Sequence, residues 1–289
     1  MRTRCLINYS LPQKTVNEIE KSLIRTYKKE IFSPFVKAIN EFNLIEENDK
    51  VAIAISGGKD SLILAKLFQE LKRHNKFAFE LVFIAMDPGF HEVNKEILVK
   101  NCEYLNIPVE IRKSNIFSVC EEIAKENPCY LCARMRRGFL YNFAKELGCN
   151  KIALGHHFDD VIETTMLNVL YGGQFKTMPP KIQAKNFKGI QLIRPMVFIK
   201  ERDIKRWITA STIKAMDCGC AVAAQKTSSK RREIKNLIEN LRKINPRIES
   251  SIFASACNVN LDAVYGYITN GIAINYNEIF SKINTKEDD

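Results

Sequence analysis

No uninterrupted apolar run in this sequence reaches the length of a membrane span, which excludes a transmembrane helix. The first residues, MRTRCLINYSLPQK, carry neither a long apolar core nor a small-residue cleavage site. No secretory signal is therefore expected, and the chain reads as cytoplasmic. Internal repeats are absent, as are low-complexity tracts apart from the polar tail KINTKEDD, which is expected to fray. Acidic residues are the scarcer charge: 33 Asp and Glu against 44 Lys and Arg, a net charge of +11 and a pI near 9.2. The surplus is uneven. Between Lys200 and Ser250 stand 13 basic and 6 acidic residues, which supplies +7 of the +11 and favours a polyanionic partner such as nucleic acid over mere solubility. Nine cysteines in a chain without a secretory signal are not a disulfide framework; they point to buried thiols, metal or catalysis. At 289 residues, 46% hydrophobic and 27% charged, the chain fits a soluble globular protein of one or two domains.

The stretch around which the chain is organised is VAIAISGGKDS, residues 51–61. Val51, Ile53 and Ile55 form a β-branched run that reads as a buried strand, and Leu62, Ile63, Leu64, Leu67, Phe68 and Leu71 continue at helical spacing. A strand, a two-glycine turn and a helix N-terminus gather unpaired backbone N–H groups and the positive helix end around one point. That geometry binds phosphate. Gly57 and Gly58 permit close approach of the backbone, Lys59 adds a charge, and Ser56 and Ser61 add hydroxyls. The usual NTPase P-loop is excluded, because Ile53 stands where its first glycine belongs and Asp60 where its Ser or Thr follows the lysine.

Ahead of this stretch, residues 15–45 carry apolar side chains at spacings of three and four, predicting one or two amphipathic helices broken near Ser33-Pro34. Behind it the chain alternates. Strands are predicted at Leu81–Met86, Val109–Ile111, Ile152–Leu154 and Ile190–Ile193, with helices over 91–105, 116–126, from near Cys132, and over 160–170. Such βα units predict a doubly wound parallel sheet, α/β and Rossmann-like, with ligands at the C-terminal strand ends. Basic helices are predicted at Glu201–Ile208, Ser229–Ile244 and Pro246–Ala256. The expected organisation is a helical cap over 1–48, a nucleotide-binding α/β domain over 49–200, and a basic helical region with a cysteine pair over 201–289.

Two further clusters carry chemistry. Gly155-His156-His157-Phe158-Asp159-Asp160 follows a strand and precedes a helix, with Asp160 and Glu163 spaced like a capping box. The acids either cap the helix or hold Mg²⁺ against a triphosphate. Cys129 and Cys132 precede an arginine-rich helix, where thiols ionise easily. Alone they fit a redox pair, half a zinc site or two buried thiols. With Cys218 and Cys220, four cysteines suffice for tetrahedral zinc, and three for an iron–sulfur cluster with one open iron. Cys5, Cys102, Cys120, Cys149 and Cys257 read as structural thiols.

SGGKDS resembles the loop of the PP-loop ATP pyrophosphatases, and GHHFDDVIET resembles the second signature of those that act on tRNA. SGGKDS, CYLCARMRR, ALGHHFDD, Met178-Pro179-Pro180-Lys181, RPM and a later cysteine pair resemble, in kind and order, the tRNA 2-thiocytidine synthetase family over roughly residues 30–265. The resemblance implies ATP on residues 56–61, with Met86, Gly155 and His156 also lining the nucleotide site and the adenine near Met86. It implies Lys59, Asp60, Asp159 and Asp160 in catalysis with Mg²⁺, and a [4Fe-4S] cluster on Cys129, Cys132 and Cys220, Cys218 being the alternative third ligand. It implies tRNA as partner, a homodimer, and sulfur from a donor such as a cysteine desulfurase. Arg134, Arg136, Arg137, Lys230, Arg231, Arg232 and Lys235 are the candidate tRNA contacts. Where this family often has CxxC in its C-terminal part, this chain has CxC.

Three other readings compete. Thiolation of a uridine belongs to relatives with additional cysteine pairs, whereas this N-terminus has only Cys5. A glutamine-dependent, amide-forming enzyme would carry an N-terminal nucleophilic cysteine, and residue 2 is Arg. A zinc-stabilised RNA-binding protein explains charge and cysteines but not the phosphate loop.

Overall fold

The computed structural model of the protein describes residues 13–74, 77–90, 92–116, 119, 128–184, 186–216 and 228–284. Its centre is a six-stranded sheet of β1 (Lys50–Ala54), β2 (Glu80–Asp87), β3 (Val109–Lys113), β4 (Lys151–Ala153), β5 (Lys181–Gln183) and β6 (Gln191–Ile193), in the order β3-β2-β1-β4-β6-β5. The first four strands and β6 run parallel, in a register that pairs Val51 with Leu81, Ala52 with Ile152 and Ile152 with Leu192. β5 is antiparallel on the β6 edge, pairing Ile182 with Leu192. The chain winds outward through β2 and β3, then returns to the other side of β1 for β4. The switch point of the sheet therefore lies between β1 and β4, the position at which such sheets bind ligands.

Both faces are covered, and β1 shows why its sequence is apolar from Val51 onward. Val51 and Ile53 enter one core with residues of α1 (Val16–Ile24), α2 (Ser33–Glu41), α3 (Lys59–His74) and α4 (Glu92–Tyr104). Ala52, which alternates to the other face, joins Phe143 and Ala144 of α5 (Pro128–Glu146), Ile152 and Leu192. The N-terminal helices are thus built into the main core, with Ile19, Leu23, Ile31 and Phe35 fully buried. So is α7 (Glu201–Ala210), through Ile204 and the single tryptophan, Trp207. A third core joins Phe158 and Ile162 of α6 (Phe158–Gly172) to Ile234 and Ile238 of α8 (Ser228–Ile244) and Ile252 of α9 (Ile248–Ser255).

The five parallel strands stand where the periodicity places them. The break near Ser33-Pro34 is a π-helical turn at Lys28–Phe32 followed by α2, with Pro34 in its first turn, where a missing N–H costs nothing. α5 begins at Pro128 and not near Cys132 for the same reason, so Cys129 and Cys132 share its first turns. Most of the helix predicted over 116–126 lies outside the described residues. Two features went unread. β5 is only three residues long, on an edge. The region after 201, expected to be helical, also holds a hairpin of β7 (Gly266–Thr269) and β8 (Ile272–Asn275), followed by α10 (Tyr276–Asn284). Its turn is Asn270-Gly271, both with positive φ, the pair that a two-residue hairpin turn prefers.

Candidate nucleotide and cysteine site

β1 ends at Ala54, and Ile55 is still fastened to β2 by its N–H bond to the Ile84 carbonyl, 2.8 Å. The chain then turns on Gly57, whose φ of +81° explains the glycine. The Gly58 carbonyl accepts from the N–H groups of Ser61 and Leu62 and from the Ser61 hydroxyl at 2.9 Å, which starts α3. The Ser56 and Ser61 hydroxyls lie 3.2 Å apart, so the two serines brace the turn from within. Lys59 Nζ sits 3.0 Å from Asp60 Oδ2 and 3.3 Å from Glu201 Oε1. Burial alone would depress this ammonium; the two carboxylates outweigh it and hold the lysine above its usual range.

The second cluster lies directly against the first. A methyl group on Gly155 would stand 2.9 Å from the carbonyl oxygen of Asp60, so only glycine lets the two loops meet at this distance. The capping box predicted at Asp160 and Glu163 is displaced by one turn. His157 is the N-cap of α6: its Nδ1 accepts from the Asp160 N–H, and Asp160 Oδ2 accepts from the His157 N–H at 3.0 Å. The imidazole takes the place of a capping carboxylate, and its other nitrogen, Nε2, faces Asp60 Oδ1 at 3.9 Å.

Asp159 and Asp160, read together as Mg²⁺ ligands, are turned to different partners. Asp159 Oδ2 accepts from the Glu201 N–H at 2.7 Å and so caps α7. Asp160 pairs with Arg231, whose Nε also reaches Glu163 Oε2 at 2.8 Å. Burial would raise the Asp160 carboxyl, but His157 and Arg231 hold it below the usual range. Among the buried side-chain atoms of the described residues, the carboxylate oxygen left without a hydrogen-bond partner is Asp60 Oδ1. His156 Nδ1 and Arg194 Nε are in the same condition. Burial pulls His156 down to about 4 and Arg194 down to about 10.

Cys132, half-buried, lies on the Met86–Ile116 cluster at the end of β2. Cys129 stands in the first turn of α5; its side chain, like all of Cys218 and Cys220, lies outside the described residues. The approach to the second pair is described. Met216 donates its N–H to the Gly57 carbonyl at 2.9 Å, and the Lys214 carbonyl accepts from Asn101 at 2.9 Å. The chain leading into Cys218 and Cys220 is thus tied to the phosphate loop itself. Cysteine thiolates are donors that suit zinc or an iron–sulfur cluster. Of the described residues on the two segments, Cys132 lies by the end of β2 and Met216 by the loop after β1. Among the described residues, no three His, Cys, Asp or Glu side chains are grouped to hold a metal ion. Cys102 and Cys149 are buried, and burial pushes their thiols up to about 12 and about 11, as inert structural thiols require; Cys257 is exposed.

Three residues escaped the sequence reading. Glu201 was read only as a helix start, Arg194 only as part of RPM, and Met216 not at all. The first had a signal: an acid at a helix N-terminus, closing the short segment that follows Arg194-Pro195. The bond from Met216 is between backbone atoms and leaves no trace in residue type.

A two-glycine turn that opens a helix at the switch point of a parallel sheet defines an α/β protein of the PP-loop class, and the PP-loop domain family (ATP_bind_3) matches residues 27–218. Over 225 residues the chain is 37% identical to a tRNA-cytidine(32) 2-sulfurtransferase of Syntrophotalea carbinolica, covering 77% of this chain and 86% of that protein. Over 254 residues it is 35% identical to the protein of the same name from Neisseria meningitidis, covering 86% and 77%. The U34-tRNA thiolase NcsA from Methanococcus maripaludis, solved with its [4Fe-4S] cluster, superposes with a TM-score of 0.63 at 25% identity, covering 82% of this chain and 80% of that one. The chain belongs to the PP-loop family of tRNA-cytidine(32) 2-sulfurtransferases. Among the described residues no helix is long and apolar enough to cross a membrane.

Proposed function

We propose that the protein is an ATP-dependent tRNA thiolase that replaces the 2-oxygen of cytidine 32 with sulfur. The observation that carries this is the Met216–Gly57 bond, which ties the segment leading to the second cysteine pair onto the phosphate loop. The names of the relatives support the tRNA cytidine as substrate. In this reading ATP lies on residues 56–61 with its adenine near Met86. The base's 2-oxygen attacks the α-phosphorus, the α–β bridge bond breaks, and pyrophosphate leaves. Lys59 and the N-terminal end of α3 stabilise the negative charge that moves onto it. Sulfur at the oxidation level of sulfide then attacks C2 of the base and AMP departs with the former 2-oxygen; sulfur that arrives as a persulfide first takes two electrons from a thiol reductant. Asp60, with its unpartnered oxygen, fits Mg²⁺ better than Asp159 and Asp160 do; those two hold α7, α6 and α8 in place around the site. Cys129, Cys132 and Cys220, with Cys218 the alternative third ligand, would hold a [4Fe-4S] cluster, which when bound supplies iron to carry the incoming sulfur.

Exposed Arg134, Arg137, Lys230 and Arg232 are the cations available to tRNA phosphates, whereas Arg231 and Lys235 are engaged with acids of the site. Residues 49–200 then carry the nucleotide chemistry and 201–289 much of the RNA surface. The family resemblance adds a cytoplasmic homodimer supplied with sulfur by a donor such as a cysteine desulfurase. Mass spectrometry of tRNA nucleosides with and without this gene tests the reading: 2-thiocytidine should vanish in its absence. In vitro the products should be AMP and pyrophosphate, and Lys59→Ala should lower kcat more than it raises KM for ATP. ADP as product, or unchanged 2-thiocytidine, would refute it.

A further inference from the structure

α8 rests on the molecule through few apolar contacts, Ile234 and Ile238 being buried on α6 and α9 while the charged residues around them are exposed. Charge ties it to the nucleotide site as well, through Arg231 on Asp160 and Glu163 and through Lys235. Lys235 Nζ lies 2.7 Å from Glu201 Oε2, while Glu201 Oε1 lies 3.3 Å from Lys59 and 3.1 Å from Lys205. One carboxylate, 14% exposed, is therefore shared between the phosphate-loop lysine and a lysine of α8. The fold of α7 does not need this sharing, since Asp159 already caps the Glu201 N–H.

Cations that share one carboxylate compete for it. A triphosphate in the loop offers Lys59 a stronger anion, at a distance where low dielectric magnifies the difference. We infer that Glu201 is a positioning residue that holds Lys59 while the loop is empty and, once a triphosphate takes Lys59, turns its full charge to Lys205 and Lys235 and so fastens α8. Nucleotide binding thereby firms a helix that presents Lys230 and Arg232 to RNA. The inference rests on the triphosphate reading of the loop.

Hydrogen exchange of the full chain, with and without α,β-methylene ATP, tests it, with calorimetry reporting nucleotide binding separately. In the wild type the analogue should slow exchange across residues 230–243 by about threefold, the effect of one half-exposed ion pair. Glu201→Gln should bind the analogue at least as tightly, because Lys59 has one competitor fewer, yet lose this protection. Lys235→Ala should bind the analogue about threefold more weakly, the reciprocal of the same coupling, and also lose the protection. A merely structural Glu201 would change exchange in α8 equally with and without nucleotide. Analogue bound without protection in the wild type, or protection alike in all three proteins, would overturn the inference and leave the triphosphate reading intact. Failure of the wild type to bind the analogue would overturn both.

Discussion

Gly155→Ala probes the contact on which the whole site depends. The added methyl would stand 2.9 Å from the Asp60 carbonyl oxygen, 3.0 Å from its carbonyl carbon and 3.3 Å from its Cβ. Something must move by about half an ångström, and neither side is free to do so. Behind Asp60, Leu62, Ile63 and Leu64 are fully buried. Around Gly155, the Leu154 N–H is bonded to the Ile193 carbonyl at 3.0 Å, and His157 bridges to Met196 while capping α6. Overpacking of this kind costs about 1–3 kcal/mol, and the smaller unfolded-state entropy of alanine returns about 0.4–1 kcal/mol. The net loss is about 1–2 kcal/mol. Catalysis should suffer more, because a misplacement of about 1 Å costs on the order of 100-fold and half of that roughly tenfold. Urea unfolding should show a lower midpoint with an unchanged slope, and pyrophosphate release with tRNA should fall at least about tenfold. Gly138→Ala is the control, because a methyl there meets nothing within 4 Å. It should leave stability equal or higher, alanine being the better helix former. A Gly155→Ala protein with wild-type stability and turnover would show that the two loops do not work as one site.

Anaerobically purified protein should be brown, with iron and sulfide in near-equal amounts. Serine at Cys129, Cys132 or Cys220 should remove colour and thiolation together while Cys102→Ser removes neither; stoichiometric zinc with full activity would refute the cluster. Replacing two of Arg134, Arg137, Lys230 and Arg232 by alanine should flatten the plot of log K for tRNA against log salt by about two units, scaled by roughly 0.9 or less per contact. Arg231→Ala should instead destabilise the fold, since it leaves Asp160 and Glu163 unpaired. His156, at about 4 in the folded chain against an ordinary 6.5, keeps the folded state from taking up a proton that the unfolded chain accepts. Its share of stability is complete above pH 6.5 and declines toward pH 4, by roughly 3 kcal/mol in all, so His156→Gln should flatten the denaturation midpoint over that interval.

The sheet was legible because its signals are local. Val51, Ile53 and Ile55 announce a buried strand, and each informative turn follows such a run. Long amphipathic stretches such as 229–244 likewise fix their own helix. Short edge elements do not: KIQ at β5 has no periodicity to read, and its strand state comes from pairing with β6. The hairpin at Asn270-Gly271 was legible in its turn but was masked by the basic helices preceding it. Residue type singles out Lys59, Asp60 and the cysteines as candidates; Lys59 and Asp60 stand in the turn after β1, while Cys218, Cys220 and the Cys129 side chain lie outside the described residues. The division of labour among the acids was not legible. Whether Asp160 meets Mg²⁺ or Arg231 depends on a residue 71 positions away, and a spacing rule that reaches one helical turn cannot see it.

The unpartnered buried atoms show where that division leaves room. Among the described residues, Asp60 Oδ1 follows β1, Ser114 Oγ follows β3, His156 Nδ1 follows β4 and Arg194 Nε follows β6. All four stand at the C-terminal ends of parallel strands; Gln191 Oε1, at the start of β6, is at the opposite end. A buried polar atom left unpaired costs about 1–3 kcal/mol. An interior that otherwise pairs even Lys151 with Asp49, at 2.6 Å, has no packing reason to bear several such costs along one edge. A polar ligand lying across β1, β4 and β6 would meet three of the four together, those of Asp60, His156 and Arg194. A nucleotide beside the base it activates has that shape and that chemistry. In the reading proposed above, with Asp159 and Asp160 engaged in capping and pairing, Lys59 is the cation left for a triphosphate and Asp60 the carboxylate left for a divalent cation.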